Sequence, residues 1–319
     1  MKLPNREHSV SAYIDKHHEA EPDPFRPHFG ASQAGHHCER FLWLAFRWAF
    51  KEKFTGRMLR LFRRGQLEES VFVHDLKAIG IDIQDTDENG KQFRVDFGSH
   101  VSGSMDGMAK SGVPGAENTP HIVEMKTHND KSFKQLKEKG VKESKPMHWA
   151  QMQLYMLGTG TERALYVAVN KNDDELYDER VKLDKEAAER LLERAKRIAT
   201  SDRSPDRCAG ASPEWYQCKF CPAYNMCHQG AITMQRNCRT CAHSTAQSDG
   251  QWHCARWGDI IPTVNQYAGC DSHVMHPDMV PWDLLGGDVV SAEYQRKGQR
   301  FVNGEGGVSS LDIMRAELE

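Results

Sequence analysis

No apolar run in the 319 residues approaches the roughly 20 needed to cross a bilayer. The opening stretch, MKLPNREHSVSAYIDKHHEAEPDP, lacks the apolar core of a signal peptide. The expectation is a soluble, cytoplasmic protein with no membrane partner. An excess of basic charge is also missing. With 42 Lys and Arg against 45 Asp and Glu the net charge is −3, so positive charge for a nucleic acid must be local. There is no Gly-rich phosphate loop of the Walker type, which excludes an ATP-driven helicase activity. Nor is there a convincing Ser or Cys nucleophile arrangement. Cysteine is almost absent from the first two-thirds of the chain: one stands at 38, and the other eight of nine lie between 208 and 270. Without a secretion signal, such clustering argues against a disulfide framework and for metal.

Two local basic stretches are present. Residues 51–65 hold six Lys or Arg against one Glu, and 131–145 hold six Lys against two Glu. Each reads as a phosphate-contacting surface or simply as a solvated helix face. Residues 1–30 are polar, rich in His and Pro, and read as poorly ordered or draped on the surface. From Ser32, a candidate N-cap, SQAGHHCERFLWLAFRWAF predicts a helix. A second helix is expected over about 55–80. KQFRVDF, HVSGSMDGMAK and PHIVEMKT predict three strands. The helix PMHWAQMQLYMLGTG follows, then a hairpin of RALYVAVN and DELYDERVKL around Asn172–Asp174. The periodic helix DKEAAERLLERAKRIATS comes last. This order gives an α/β class with a mixed central sheet flanked by helices. After Cys208 the composition turns to Cys, His, Trp and turn residues, which implies metal-centred folding. Residues 283–319 carry no readable motif and are expected to be a tail or linker.

On a strand, Glu124 and Lys126 of HIVEMKTHND point to the same face. Asp106 of GSMDGM ends another strand-like run. If the two strands are neighbours, Asp106 and Glu124 can share one divalent ion, and oxygen ligands suit Mg²⁺ or Mn²⁺. Lys126 would then orient or deprotonate a water, or stabilise charge on a phosphate. By itself, Glu-x-Lys is common on exposed strand faces. Upstream, RRGQLEESVF sets Glu69 four residues after Gly65, with Glu68 as an adjacent competitor. Downstream, HWAQMQLYM sets Gln151 and Tyr155 on one helical face.

Taken in order, Gly-x-x-x-Glu, Asp, Glu-x-Lys and Gln-x-x-x-Tyr resemble the PD-(D/E)XK nuclease superfamily, in its RecB-like and lambda exonuclease-like branches. The resemblance implies that Asp106 and Glu124 hold metal with the Met125 carbonyl assisting, and that Lys126 is the catalytic lysine. It makes Glu69 a further acidic ligand, with Gln151 orienting Lys126 or the scissile phosphate. Tyr155 supports Gln151 or serves as a core aromatic. Met105 replaces the usual proline, and Glu69 stands where RecB-like members carry His, so cutting mode and polarity do not transfer.

YQCKFCPAYNMC places Cys218, Cys221 and Cys227 in one run, one thiol short of the usual four ligands. Together with Cys38 in the CERF context, it resembles the iron–sulfur staple of AddB-type and CRISPR-associated RecB-like nucleases. That implies a [4Fe–4S] cluster on Cys38, Cys218, Cys221 and Cys227. Alternatively, Cys38 is a buried small hydrophobe. The downstream thiols would then recruit His228, Cys208 or a later Cys for zinc. Cys238, Cys241, Cys254 and Cys270, spaced Cys-x2-Cys-x12-Cys-x15-Cys, are close to a structural Zn²⁺ pattern, in which His243, His253 or His273 could substitute. This module looks like an appendage that grips DNA, binds a protein partner or stabilises the C-terminus.

The expected organisation is a polar segment over 1–30, a RecB-like nuclease domain closed by the cluster over 31–230, a zinc-binding module over 231–282, and the tail. The expected function is metal-dependent hydrolysis of phosphodiesters in single-stranded DNA or at DNA ends, by exonuclease action in recombination, repair or phage DNA processing. The rivals are a catalytically inactive nuclease-fold binding module and an iron–sulfur redox sensor.

Overall fold

The computed structural model describes residues 9–318. In chain order, α1 (Val10–Ala20) leads through β1 (Phe29–Gly30) to α2 (Glu39–Phe46) and the long α3 (Gly56–Ala78). Five strands follow: β2 (Asp82–Gln84), β3 (Arg94–Gly98), β4 (Val101–Ser104), β5 (Gly107–Ser111) and β6 (His121–His128). Next come α4 (Asp130–Ser144), α5 (Pro146–Thr159), the hairpin β7 (Arg163–Asn170) and β8 (Leu176–Lys182), and α6 (Lys185–Thr200). The Cys-rich region adds the short α7 (Tyr216–Lys219), α8 (Tyr224–His228), β9 (Ser244–Ala246), β10 (Trp252–Cys254), β11 (Asp259–Ile260) and α9 (Thr263–Ala268). The chain closes with β12 (Asp283–Gly287), β13 (Ser291–Arg296), β14 (Gln299–Gly304) and α10 (Ser310–Ala316).

The fold is mixed α/β around a five-stranded sheet in the order β2-β5-β6-β7-β8, in which β6 and β7 are parallel and the other pairs antiparallel. Helices cover both faces, so β6 and β7 read as buried runs rather than alternating ones. Val123 and Met125 join Phe72, Val73 and Leu76 of α3 in one core cluster. Ile122, Ala164 and Tyr166 join Met152, Tyr155 and Met156 of α5 in another. Glu124 and Lys126, alternating with Val123 and Met125, therefore face the α5 side.

Four expectations need correction. The first helix does not begin at Ser32. A short 3-10 turn covers Ala31–Gln33 and the helix starts at Glu39, with the Cys38 Sγ capping it by accepting from the Phe41 N–H. Gly35 explains the break: a Cβ there would lie 2.8 Å from the Ala150 Cβ, so the chain must pass close to α5 before turning helical. The run HVSGSMDGMAK is two strands in two sheets, β4 pairing with β1 and β3, and β5 with β2 and β6, with Met105 and Asp106 at the crossing. Residues 283–316 are not a linker: β12–β14 and α10 form a unit around Val274, Trp282, Tyr294 and Ile313. The N-terminal segment is not merely draped, since it forms α1 and Phe25 stacks on Trp48; residues 1–8 lie outside the described residues.

Candidate active site

The pairing Gly107↔Val123 and Met108↔Ile122 continues to Asp106 opposite Glu124. The register thus sets both carboxylates side by side on one face. The Asp106 Oδ2 accepts from the Met125 N–H (2.9 Å) and from the Lys126 ammonium (3.1 Å). Lys126 also donates to the Met125 carbonyl (2.9 Å) and lies 2.5 Å from the Glu124 Oε1. That last contact is a close ion pair, and apart from it both Glu124 oxygens are buried without a polar partner. Burial pushes the Glu124 carboxyl up to about 8, against the pull of Lys126. Burial also works against the Lys126 charge, but Glu124 and Asp106 outweigh it and hold the ammonium above its ordinary range.

Glu69 projects from α3 toward the same charges. Burial, with Asp106 adding and Lys126 opposing, pushes its carboxyl up to about 7. Gln92 donates to its Oε2 (3.4 Å). On α5, Gln151 is buried one helical turn before Tyr155. Tyr155 donates to the Ser104 carbonyl (2.6 Å), two residues before Asp106. Asp106, Glu124, Met125 and Lys126 are thus in direct contact, Glu69 stands within electrostatic reach, and Tyr155, with Gln151 one turn away, braces the approach to Asp106.

Sequence reasoning left His128 unassigned. It is buried, hydrogen-bonds the Tyr166 hydroxyl through Nε2 (2.8 Å) and Ser132 through Nδ1 (3.1 Å), while His148 reaches the same Tyr166 hydroxyl (2.9 Å). Tyr166 stands beside Glu124 in the parallel ladder. Burial, with Lys145 and Lys126 adding, lowers His128 to about 4, so this trio is a neutral wall of the site. The 131–145 stretch is partly spent within the chain. Lys137 pairs with Glu175, Lys139 with Glu143, and Lys142 lies 4.8 Å over the Trp149 ring. Lys131 and Lys134 carry no ion pair among the described residues.

All nine cysteines are free thiols. Cys38, Cys218, Cys221 and Cys227 line one small cavity together with Arg40 and Arg207, and Cys208, unassigned from sequence, lines it as a fifth thiol. Cys238, Cys241, Cys254 and Cys270 line a separate cavity. Among the described residues, no three His, Cys, Asp or Glu form a group that could hold a metal ion as they stand. No helix among them is long and apolar enough to cross a membrane.

No family model and no curated protein matches this chain. Among solved structures, it is similar to the crystal structure of SSO0001, with a TM-score of 0.40 and 14% identity over 69% of this chain and 97% of that one. It is also similar to LHK-Exo, an alkaline exonuclease from Laribacter hongkongensis, with a TM-score of 0.35 and 15% identity over 59% of this chain and 90% of that one. The LHK-Exo complex with dAMP gives 0.37 and 13% over the same shares. At this distance the likenesses carry no argument, and the chemistry rests on the geometry above.

Proposed function

We propose that this chain is a divalent-metal-dependent DNA nuclease that hydrolyses phosphodiester bonds, acting on single strands or DNA ends. The observation that carries this reading is the Asp106–Glu124–Lys126 constellation on β5 and β6. A buried carboxylate needs a proton or a cation beside it. Glu124 has the Lys126 ammonium at one oxygen and no polar partner at the other, and Asp106, the Met125 carbonyl and Glu69 supply further hard oxygen donors. The set fits Mg²⁺ or Mn²⁺. Bound there, the ion supplies Lewis-acid polarisation of a phosphate and acidifies a water.

The chain's own residues do the rest. Asp106 and the Met125 carbonyl hold the Lys126 ammonium at the mouth of the site, where it stabilises negative charge building on the phosphate. Tyr155 fixes the Ser104–Asp106 crossing, which keeps the two carboxylates in register. Lys131 and Lys134, just past β6, are placed to contact backbone phosphates. Exonuclease action in recombination, repair or phage DNA processing is the finer reading.

For the iron–sulfur staple, four of the five thiols around one cavity offer the soft donor set that a [4Fe–4S] cluster takes. The assignment is Cys38, Cys218, Cys221 and Cys227. It ties α2 to the segment after α6.

The test is cleavage of end-labelled single- and double-stranded DNA by anaerobically purified protein with Mg²⁺ or Mn²⁺. Lys126→Ala should lower the rate at least about a hundredfold, while wild-type cleavage should vanish with chelator. Binding without cleavage, across both metals and both substrates, overturns the nuclease reading in favour of an inactive binding module.

A further inference from the structure

The second set of cysteines belongs to no part of the acid–lysine site. Cys238, Cys241, Cys254 and Cys270 arrive on three separate loops and line one cavity of about 310 Å³. Cys238 opens the 3-10 turn Cys238–Thr240 and Cys241 follows it, with the Cys241 N–H donating to the Cys238 carbonyl (3.1 Å). The Val274 N–H points at the Cys241 Sγ (3.5 Å), the kind of amide contact that supports a thiolate. Cys254 ends β10, in register with Ser244 on one side and Asp259 on the other. Cys270 follows Gly269, which has a φ of +65 and where a Cβ would lie 2.9 Å from the Arg236 carbonyl oxygen. Only glycine lets that loop pass so close to the strand entering Cys238. The loops are then clamped by Arg236 donating to the Cys270 carbonyl (3.0 Å), by Thr240 bonding the His273 ring (3.1 Å), and by the Ala242 N–H donating to Val274 (2.8 Å).

The turn between the first two cysteines carries Arg239, whose guanidinium is buried. It donates to the Phe46 carbonyl (2.9 Å), the Pro27 carbonyl (2.7 Å) and the Gln266 side chain (2.9 Å). It lies 3.8 Å over Trp48, 4.7 Å over Trp252 and 4.8 Å over Phe46. Among the described residues no carboxylate pairs with it. Arg47, also buried, donates to the Arg239 and Ser244 carbonyls (3.4 and 3.2 Å). Two cations are therefore buried at the seam between the Cys-rich region and the α2 segment, and Arg47 alone has a carboxylate, that of Asp202 at 3.5 Å. Burying a cation is costly unless it is compensated.

We propose that Cys238, Cys241, Cys254 and Cys270 bind one zinc ion, and that the loaded centre anchors Arg239 and supplies the counter-charge for this seam. Four thiolates around Zn²⁺ leave a net charge of −2, with the four thiol protons released to solvent on binding. The centre clamps the α2 segment. Trp252 serves that clamp, buried against Arg239 and Arg47, while Trp257 stands exposed at the cavity rim. His273 bonds Thr240 through Nε2 and keeps a buried Nδ1 without a partner. His243, whose buried Nε2 has no partner, lines the same cavity, so these two rings are competing ligands.

The test uses the full chain purified under reducing conditions without chelator, and reads zinc by elemental analysis alongside thermal unfolding. It does not depend on the nuclease reading. The expected result is one zinc per chain, lost in Cys254→Ser together with a drop in the unfolding midpoint. Arg239→Met should keep the zinc and still lose stability, because it removes the anchored cation and not the ligands. If Cys254→Ser fails to fold, wild-type protein stripped by chelator and refilled with Co²⁺ gives the ligand set. An all-thiolate spectrum supports the proposal, and one with a nitrogen ligand that disappears in His243→Ala or His273→Ala overturns the four-cysteine assignment. Wild-type protein without zinc overturns the site. Unchanged stability after zinc loss, or in Arg239→Met, overturns the anchoring role.

Discussion

The acid–lysine site and the two thiol cavities are built in opposite ways. At the first, hydrogen-bonded ladders between β5, β6 and β7 set the positions of Asp106, Glu124 and Lys126, whatever their side chains do. The backbone is held independently, so the site can carry a buried carboxylate whose one polar partner is the Lys126 ammonium. At the second, the cysteines come from loops and caps: the α2 N-cap, the short helices α7 and α8, and the clamped loops after residue 236. There the cysteines, as the proposed ligands, would themselves be part of what holds the loops. Substitution should therefore separate function from stability in the sheet and unite them in the thiol regions.

Glu124→Gln tests this most severely. Loss of the second carboxylate should reduce cleavage at least about a hundredfold. The same change should leave the unfolding midpoint of metal-free protein at pH 8 no lower than wild type, because burial disfavours the carboxylate there and Lys126 keeps Asp106 as its partner. The pH dependence follows with a definite sign. The folded carboxyl, at about 8, keeps a proton that the unfolded chain releases near its ordinary 4.5. Across that window the folded state binds more protons, so stability falls as pH rises, and Glu124→Gln should flatten this slope. Thermal melts in chelator from pH 5 to 8 measure it. A Gln variant less stable than wild type at pH 8 would break the comparison.

The thiol cavity around Cys38 offers the next largest effect. Cys38→Ala should lose the brown absorbance and the iron and lower the unfolding midpoint by several degrees, since closing a long loop constrains the unfolded chain. Cys208→Ala, in the same cavity, should keep both colour and iron. Iron analysis of the two variants decides it. The reverse pattern would make Cys208 the fourth ligand and Cys38 only a helix cap.

How much of this could be read in the sequence follows the same division. The alternation of Ile122, Glu124 and Lys126 with Val123 and Met125 is a local signal, and the five-stranded sheet turns it directly into a face. The partnership of Asp106 with Glu124 needed only that two strands be neighbours. The split of residues 100–110 was hidden, because Val101–Ser104 and Gly107–Ser111 read as one extended run and only tertiary pairing divides them. Residues 283–316 looked featureless because their small core is shared with Val274 and Met275 from the Cys-rich region. Arg239 and Arg47 had no sequence signal as buried residues, since arginine is rarely buried and the compensating carbonyls and rings come from distant loops. Cys208 did have a signal, its membership of the cysteine cluster, but no spacing rule connected it to Cys38.

Tyr155 gives the smallest and most discriminating effect on the sheet side. Its hydroxyl donates to the Ser104 carbonyl, while its ring is part of the α5 core. Gly103 makes the fit close, since a Cβ there would lie 2.5 Å from the Tyr155 hydroxyl oxygen. Tyr155→Phe keeps the ring and leaves the Ser104 carbonyl without that donor, at a cost of about 1–3 kcal/mol. If the hydroxyl also holds the Ser104–Asp106 crossing in place, cleavage per folded molecule should fall a few-fold with KM nearly unchanged, because carboxylate placement affects the chemical step more than DNA binding. A stability loss with kcat intact would assign Tyr155 to the core alone.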